Sequence, residues 1–188
     1  MKKLLAGLTV LITVAALGLP MAMAQNDTLV IGRPSDAISL DSNTETTAPG
    51  AIVYGNIIEP LIVIDKNGEV QPNLAHKFEV ISPERIRFFI RKGIKFHDNT
   101  DLDAKAVKFT FDRAINQPAR WKALFGPIKA AQIVDEYTVD IVTSVPYGPL
   151  MASMAMVYTG IVSPAAVEKY GDDYGRHPVG TGPFKFSE

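Results

Sequence analysis

Two hydrophobic periods, only a dozen residues apart, set the tightest limit on this chain. Phe78 and Val80 alternate with Lys77 and Glu79, Ser82-Pro83-Glu84 turns the chain, and Ile86, Phe88 and Ile90 alternate with Arg85, Arg87 and Arg91. A period of two with one apolar face describes a pair of half-buried antiparallel strands, and the arginines read as its solvated face. From Asp103 the period becomes helical: Ala104, Val107, Phe111 and Ala114 fall on one face, with Asp103 placed to cap and Asn116-Gln117-Pro118 to stop the helix. Between the two periods lies RFFIRKGIKFHDNT, Arg87 to Thr100, whose polar end asks whether His97-Asp98 does chemistry or only turns the chain.

Shorter signals fill in the rest. Thr28 to Arg33 reads as a short buried strand, followed by a polar loop from Ser35 to Thr47. Pro49 suits an early helical position, with Ala51, Ile52, Tyr54 and Ile58 as the buried side. Leu61 to Ile64 is a strand that turns at Asp65-Lys66-Asn67-Gly68. Ala131 to Val134 and Tyr137 to Ile141 form a second strand pair across Asp135-Glu136; Leu150 to Val157 is helical core in which methionine fills space. Ser163 opens a helix from Pro164 to Tyr170, and Gly180-Thr181-Gly182-Pro183 leads into a strand at Phe184 to Phe186. Strands and helices mix without a repeating βαβ unit, so the expected class is mixed α/β.

The first residues are of another kind. Lys2-Lys3, an uncharged run from Leu4 to Leu19, Pro20 and Ala22-Met23-Ala24 describe a secretory signal peptide, residues 1–24, cut after Ala24. The competing reading is a retained membrane anchor, which Pro20 and the Ala-x-Ala exit disfavour. The chain has no cysteine, which excludes disulfides, thiolate chemistry and a lipid-modified cysteine at the cleavage site. Its 19 basic and 20 acidic residues nearly cancel, and without Lys2 and Lys3 the balance is slightly acidic, giving no reason to expect nucleic acid as a partner.

No catalytic set assembles from spacing. His76, His97 and His177 are far apart and none has a histidine at metal-ligand spacing. His97, Asp98, Asp101 and Asp103 could form an oxygen-rich cation site, but such a cluster between a strand and a helix cap is more often a solvated turn. Gly180-Thr181-Gly182 lacks the basic residue and following helix of a phosphate loop, and Ser163-Pro164 starts a helix rather than presenting a nucleophile. A binder, with no catalytic residue, metal or cofactor, is the better class.

Several stretches together resemble one family, the periplasmic solute-binding proteins of peptide and nickel ABC importers, known as bacterial extracellular solute-binding proteins, family 5. The stretch LAHKFEVISPERIRFFIRKGIKFHDNT carries the family's signature in order and spacing. LDAKAVKFTFDRA resembles the helix after it, VYGNIIEPLIVIDKNGEVQPNLA the segment before it, and PVGTGPFKF the return strand. Asn99 stands where the family usually has glycine, which a positive φ tolerates, and Ala106 stands where an acidic residue is common, leaving the Asp103 cap without a reciprocal partner.

The resemblance implies a two-lobe fold of the type II periplasmic binding protein kind. Residues 25–56 and 163–188 would belong to the first lobe, residues 57–162 to an α/β subdomain inserted into it, and the second lobe would be missing from a truncated chain. It further implies a monomeric periplasmic receptor without a lipid anchor, delivering a peptide or other small solute to an inner-membrane permease with ATPase subunits. The solute-facing groups would be Ser35 and Asp36, Thr47, and Gly180 and Thr181, while His97-Asp98 would be the end of a structural hairpin. The alternatives are an exported metal-dependent hydrolase using His97, Asp98 and Asp101, and an interaction module outside transport.

Overall fold

The computed structural model describes residues 28–116 and 126–187; the leader, Gln25 to Asp27 and the Gln117-Pro118 helix stop lie outside the described residues. The chain divides into two units, Met1–Pro34 and Ser35–Glu188. In the first, residues 28–33 form no strand, and Leu29, Val30 and Ile31 are 82%, 86% and 71% exposed, against the expected buried strand. A strand persists only where a neighbour takes up its N–H and C=O groups, and the described part of this unit contains none.

The second unit opens with helix α1, Ala48–Tyr54, with Thr47 as its N-cap and Pro49 in its first turn. Tyr54 and Ile58 are fully buried while Ile52 is exposed. Ile52 precedes Tyr54 by two residues, about 200° around the helix, so the two cannot share a buried side. Strands β1 (Ile62–Ile64) and β2 (Val70–Pro72) pair antiparallel across a turn in which Gly68 takes φ +84°. Asp65 Oδ1 accepts the amides of Asn67 and Glu69 there, at 2.8 and 3.0 Å.

Next comes an antiparallel sheet of β3 (Ala75–Ser82), β4 (Arg85–Ile90), β5 (Ile128–Asp135) and β6 (Thr138–Thr143), in the order β3-β4-β6-β5. One register row crosses all four strands: Glu79, Arg87, Asp140 and Gln132. This row lies on the outer face, and it corrects the view of Arg85 and Arg87 as simply solvated, while Arg91 is exposed as expected. Asp140 is 0% exposed; Arg87 Nε and Nη2 reach its two oxygens at 2.7 and 3.0 Å and Arg85 Nη1 reaches Oδ2 at 2.9 Å. The hydrogen bonds from Arg87 hold the Asp140 carboxyl below the usual carboxylate range against the opposing effect of burial, and Arg85 adds to them.

The inner face carries Ile86, Phe88, Val139, Ile141 and Ala131, all buried, under helix α2, Ala104–Asn116. Asp103 Oδ1 accepts the amides of Lys105 and Ala106, both at 2.9 Å, which makes it the cap that the spacing predicts, and Ala104, Val107, Phe111 and Ala114 form the buried stripe. Val80 on β3 and Ile133 on β5 are exposed because these are the edge strands. Both edges carry register shifts, a device that twists an edge away from further pairing.

Helix α3, Leu150–Met154, is shorter than the expected core segment, and a 3-10 turn, Val157–Thr159, follows it. Helix α4, Pro164–Tyr170, is capped by Ser163, whose Oγ accepts the Ala166 amide at 3.2 Å, and a 3-10 turn, Gly171–Arg176, continues it. One apolar core unites the sheet, α2 and Met154; a second gathers Tyr54, Ile57, Ile58, Val162, Ala166 and Tyr174. Phe184 to Phe186 form no strand, contrary to expectation: Phe184 donates one amide bond to Asn56 O and its side chain is 65% exposed. Among the described residues no helix is long and apolar enough to cross a membrane.

Candidate functional site

Three extended segments are laced together where the two cores meet. Ile161 donates its amide to Glu59 O at 2.9 Å, Gly182 to Ile57 O at 2.9 Å, Phe184 to Asn56 O at 3.1 Å and Ser163 to Val179 O at 3.2 Å. The backbones approach so closely that a Cβ on Gly180 would lie 2.2 Å from Ile57 O, and one on Gly182 2.6 Å from Asn56 O. Glycine at these two positions is therefore a packing requirement. Thr181 between them donates its hydroxyl to Glu59 Oε2 at 2.8 Å.

His97 and Asp98 close this junction from the side of the sheet domain. The His97 amide donates to Gly180 O at 2.9 Å, and its Nε2 lies 2.8 Å from Gly182 O. A carbonyl only accepts, so Nε2 carries the proton, and the buried Nδ1 has no partner among the described residues. Asp98 Oδ2 accepts the Ser163 hydroxyl at 2.5 Å, and its Oδ1 accepts the amide and hydroxyl of Thr100 at 3.0 and 2.6 Å. Burial acts against the charged Asp98, but the bonds from Ser163 and Thr100 outweigh it and its pKa falls below the ordinary value.

Ser163 thus donates to a carboxylate and accepts from its own helix, which leaves its hydroxyl committed. Asp101 is turned to Lys95, at 2.6 Å. The three residues of the hydrolase reading point to separate partners, and among the described residues no group of three or more metal-ligating side chains is placed to hold an ion. Asn99, in the same turn, has φ +69°, the conformation for which asparagine replaces glycine most cheaply. Beside the junction, His97, Tyr170, His177, Lys185 and Phe186 line an open groove of about 250 Å³, in which Tyr170 stacks on His177 at 4.3 Å.

The polar loop before α1 is where sequence reasoning missed most. Asp41, Ser42, Asn43 and Glu45 are buried. Arg113, in the last turn of α2, grips Asp41 through Nη1 to Oδ1 at 2.8 Å and Nη2 to Oδ2 at 2.6 Å, and Nη1 also donates to Asn43 Oδ1 at 3.0 Å. Asp41 in turn organises the loop: its Oδ1 accepts the Asn43 amide, and its carbonyl accepts the amides of Thr44 and Glu45. Glu45 Oε1 accepts the Thr47 amide at 2.5 Å, and Tyr54 donates its hydroxyl to Glu45 O at 2.9 Å. The fully buried Ser42 hydroxyl has no partner among the described residues, a cost of about 1–3 kcal/mol that the charged bonds around it must offset. Nothing in the periodicity marks Asp41 and Arg113 as a pair.

Of the sequence-derived site residues, Ser35 and Asp36 are exposed, Thr47 is half-buried at the head of α1, Gly180 is buried and Thr181 half-buried. The structure brings Gly180 and Thr181 together with Glu59 and His97 at the junction, and places Thr47 at the end of the Arg113-held loop.

The family model of the bacterial extracellular solute-binding proteins, family 5 Middle, matches residues 69–188. The glutathione-binding protein GsiB of Salmonella paratyphi A is 35% identical over 180 residues, which cover 91% of this chain and 35% of GsiB. DppA of Helicobacter pylori, a periplasmic binding protein solved in complex with the peptide STSA, superposes with a TM-score of 0.71 at 27% identity, over 81% of this chain and 35% of that one. OppA of Burkholderia pseudomallei superposes with a TM-score of 0.74 at 23% identity, over 81% and 34%, a likeness of fold alone. The mixed α/β fold is thus that of the periplasmic binding proteins, and the chain spans about a third of the length of the relatives it matches.

Proposed function

The chain belongs to the bacterial extracellular solute-binding proteins, family 5, and from that premise we propose that it is the first-lobe part of an extracytoplasmic receptor for a peptide-class solute. Residues 25–56 and 163–188 make up the lobe and residues 57–162 the inserted subdomain, a division supported by the larger apolar core, whose buried residues from Leu61 to Ile161 all fall within the subdomain. The leader is cut after Ala24, and the receptor works as a monomer that hands its solute to an inner-membrane permease driven by ATPase subunits. It binds rather than reacts, since lobes that close on solute turn contact energy into a shape the permease recognises.

The observation that carries this reading is the 35% identity with a glutathione-binding protein over 91% of the chain. Glutathione is itself a tripeptide, and the peptide bound to DppA points to the same solute class. Thr47, with Ser35 and Asp36 ahead of it, faces the solute, while Gly180 and Thr181 frame the cleft from the junction. Titration calorimetry of a receptor of the relatives' full length that carries this segment should show saturable micromolar or tighter binding of glutathione or of a di- to tetrapeptide. Absence of heat with every such solute would overturn the reading.

A further inference from the structure

We propose that Arg113 is the positioning residue of the solute-facing turn Asp41–Thr47, acting from the helix that follows the family signature. The proposal rests on the reading that Thr47 faces solute. The turn is polar, yet Asp41, Ser42, Asn43 and Glu45 are withdrawn from water, and the Ser42 hydroxyl has no hydrogen-bond partner there among the described residues. Hydrophobic burial does not hold such a segment in place; a specific grip must. Arg113 supplies it through a two-pronged pairing with Asp41 and a third bond to Asn43, a planar geometry that an ammonium cannot reproduce. Tyr174 backs the grip, its ring centroid 5.6 Å from the guanidinium carbon and its hydroxyl donating to Val179 O at 3.1 Å. From Asp41 the bonds run on through the carbonyl that holds Thr44 and Glu45, and through Glu45 to the amide of Thr47. One side chain on the subdomain helix thereby fixes a turn far from it in sequence.

Amide exchange of the full chain, followed by mass spectrometry, tests this in Arg113→Met, Arg113→Lys and Asp41→Asn. The amides of Asn43, Thr44, Glu45 and Thr47 should exchange at least tenfold faster in Arg113→Met and Asp41→Asn, with those of Phe88, Val139 and Ile141 unchanged. Combining the two substitutions should add little, and Arg113→Lys should restore protection only in part. Turn amides at wild-type rates in Arg113→Met would overturn the proposal. So would equal acceleration of turn and sheet in the Met and Lys variants alike, which would make Arg113 a general stabiliser. A further arm separates the two readings, using a receptor of the relatives' length. If Arg113→Lys loosens the turn there but leaves glutathione affinity unchanged, the solute-facing role of Thr47 fails and the positioning role stands; weaker affinity supports both.

Discussion

His97 Nε2 donates to the carbonyl of Gly182 across 2.8 Å, tying the end of the signature hairpin to the return loop. The bond is a brace, because the acceptor is a buried carbonyl and no substrate atom is needed to complete it. His97→Ala should therefore lower stability by about 1–3 kcal/mol, the cost of leaving a buried carbonyl unpaired. In a full-length receptor it should change solute affinity by less than tenfold, about 1.4 kcal/mol. Urea denaturation and calorimetric titration of the same preparation check the two halves; a hundredfold affinity loss in a folded variant would return His97 to the solute site.

Asp140 makes the sheet sensitive to acid. Its folded-state pKa is depressed, so the stability it gives is complete above the unfolded aspartate value of about 3.9 and is lost as the pH falls through the lower folded-state value. Asp140→Ala should cost about 3 kcal/mol at neutral pH, because Arg85 and Arg87 lose their buried counter-charge. The gap between wild type and Asp140→Asn, followed as urea midpoints, should be constant above about pH 5 and close as the pH falls below 4. A gap independent of pH down to about 2 would mean that the carboxylate's charge contributes nothing.

The two junction glycines differ from glycines in open space. Gly180→Ala and Gly182→Ala each place a methyl carbon against backbone, at 2.2 and 2.6 Å, and should destabilise by about 1–3 kcal/mol or more. Gly148 has no atom within 4 Å of the same position, and Gly148→Ala should be close to neutral. Thermal denaturation of the three variants side by side checks the contrast.

By itself the chain should bind solute poorly. Solute pockets bury about 70–90% of their ligand, and on the proposed reading a chain spanning a third of its relatives' length supplies one side of such a pocket. Titration of residues 25–188 with glutathione should show nothing tighter than about 1 mM, some −4 kcal/mol. Micromolar binding by the monomeric chain would favour a self-sufficient single-lobe module.

What was legible in the sequence was local. The Asp103 cap, the Ser163 cap and the buried stripe of α2 each depend on residues within a few positions of one another, so spacing alone reveals them, while the glycine-like role of Asn99 comes from family likeness. The misreadings share the opposite property. Arg87 looks solvated until Asp140 arrives from a strand 53 residues away, and Asp41 looks like loop until Arg113 reaches it from 72. Thr28 to Arg33 and Phe184 to Phe186 have strand-like composition, but composition does not supply a neighbour to pair with. The groups proposed to face solute were reached through family likeness, because Thr47 gains its setting from a helix that no pattern links to it.

The bond from Ile161 to Glu59 also bears on how such a molecule can change over time. The chain leaves for the sheet domain and returns from it at the same spot, so the excursion between is a loop whose ends already touch. Insertions, deletions or whole replacements inside it leave the entry and exit points where they were. Exchange of that stretch as a cassette carries one condition: the incoming segment must again present a guanidinium where Arg113 stands, or the turn that ends at Thr47 loses its grip.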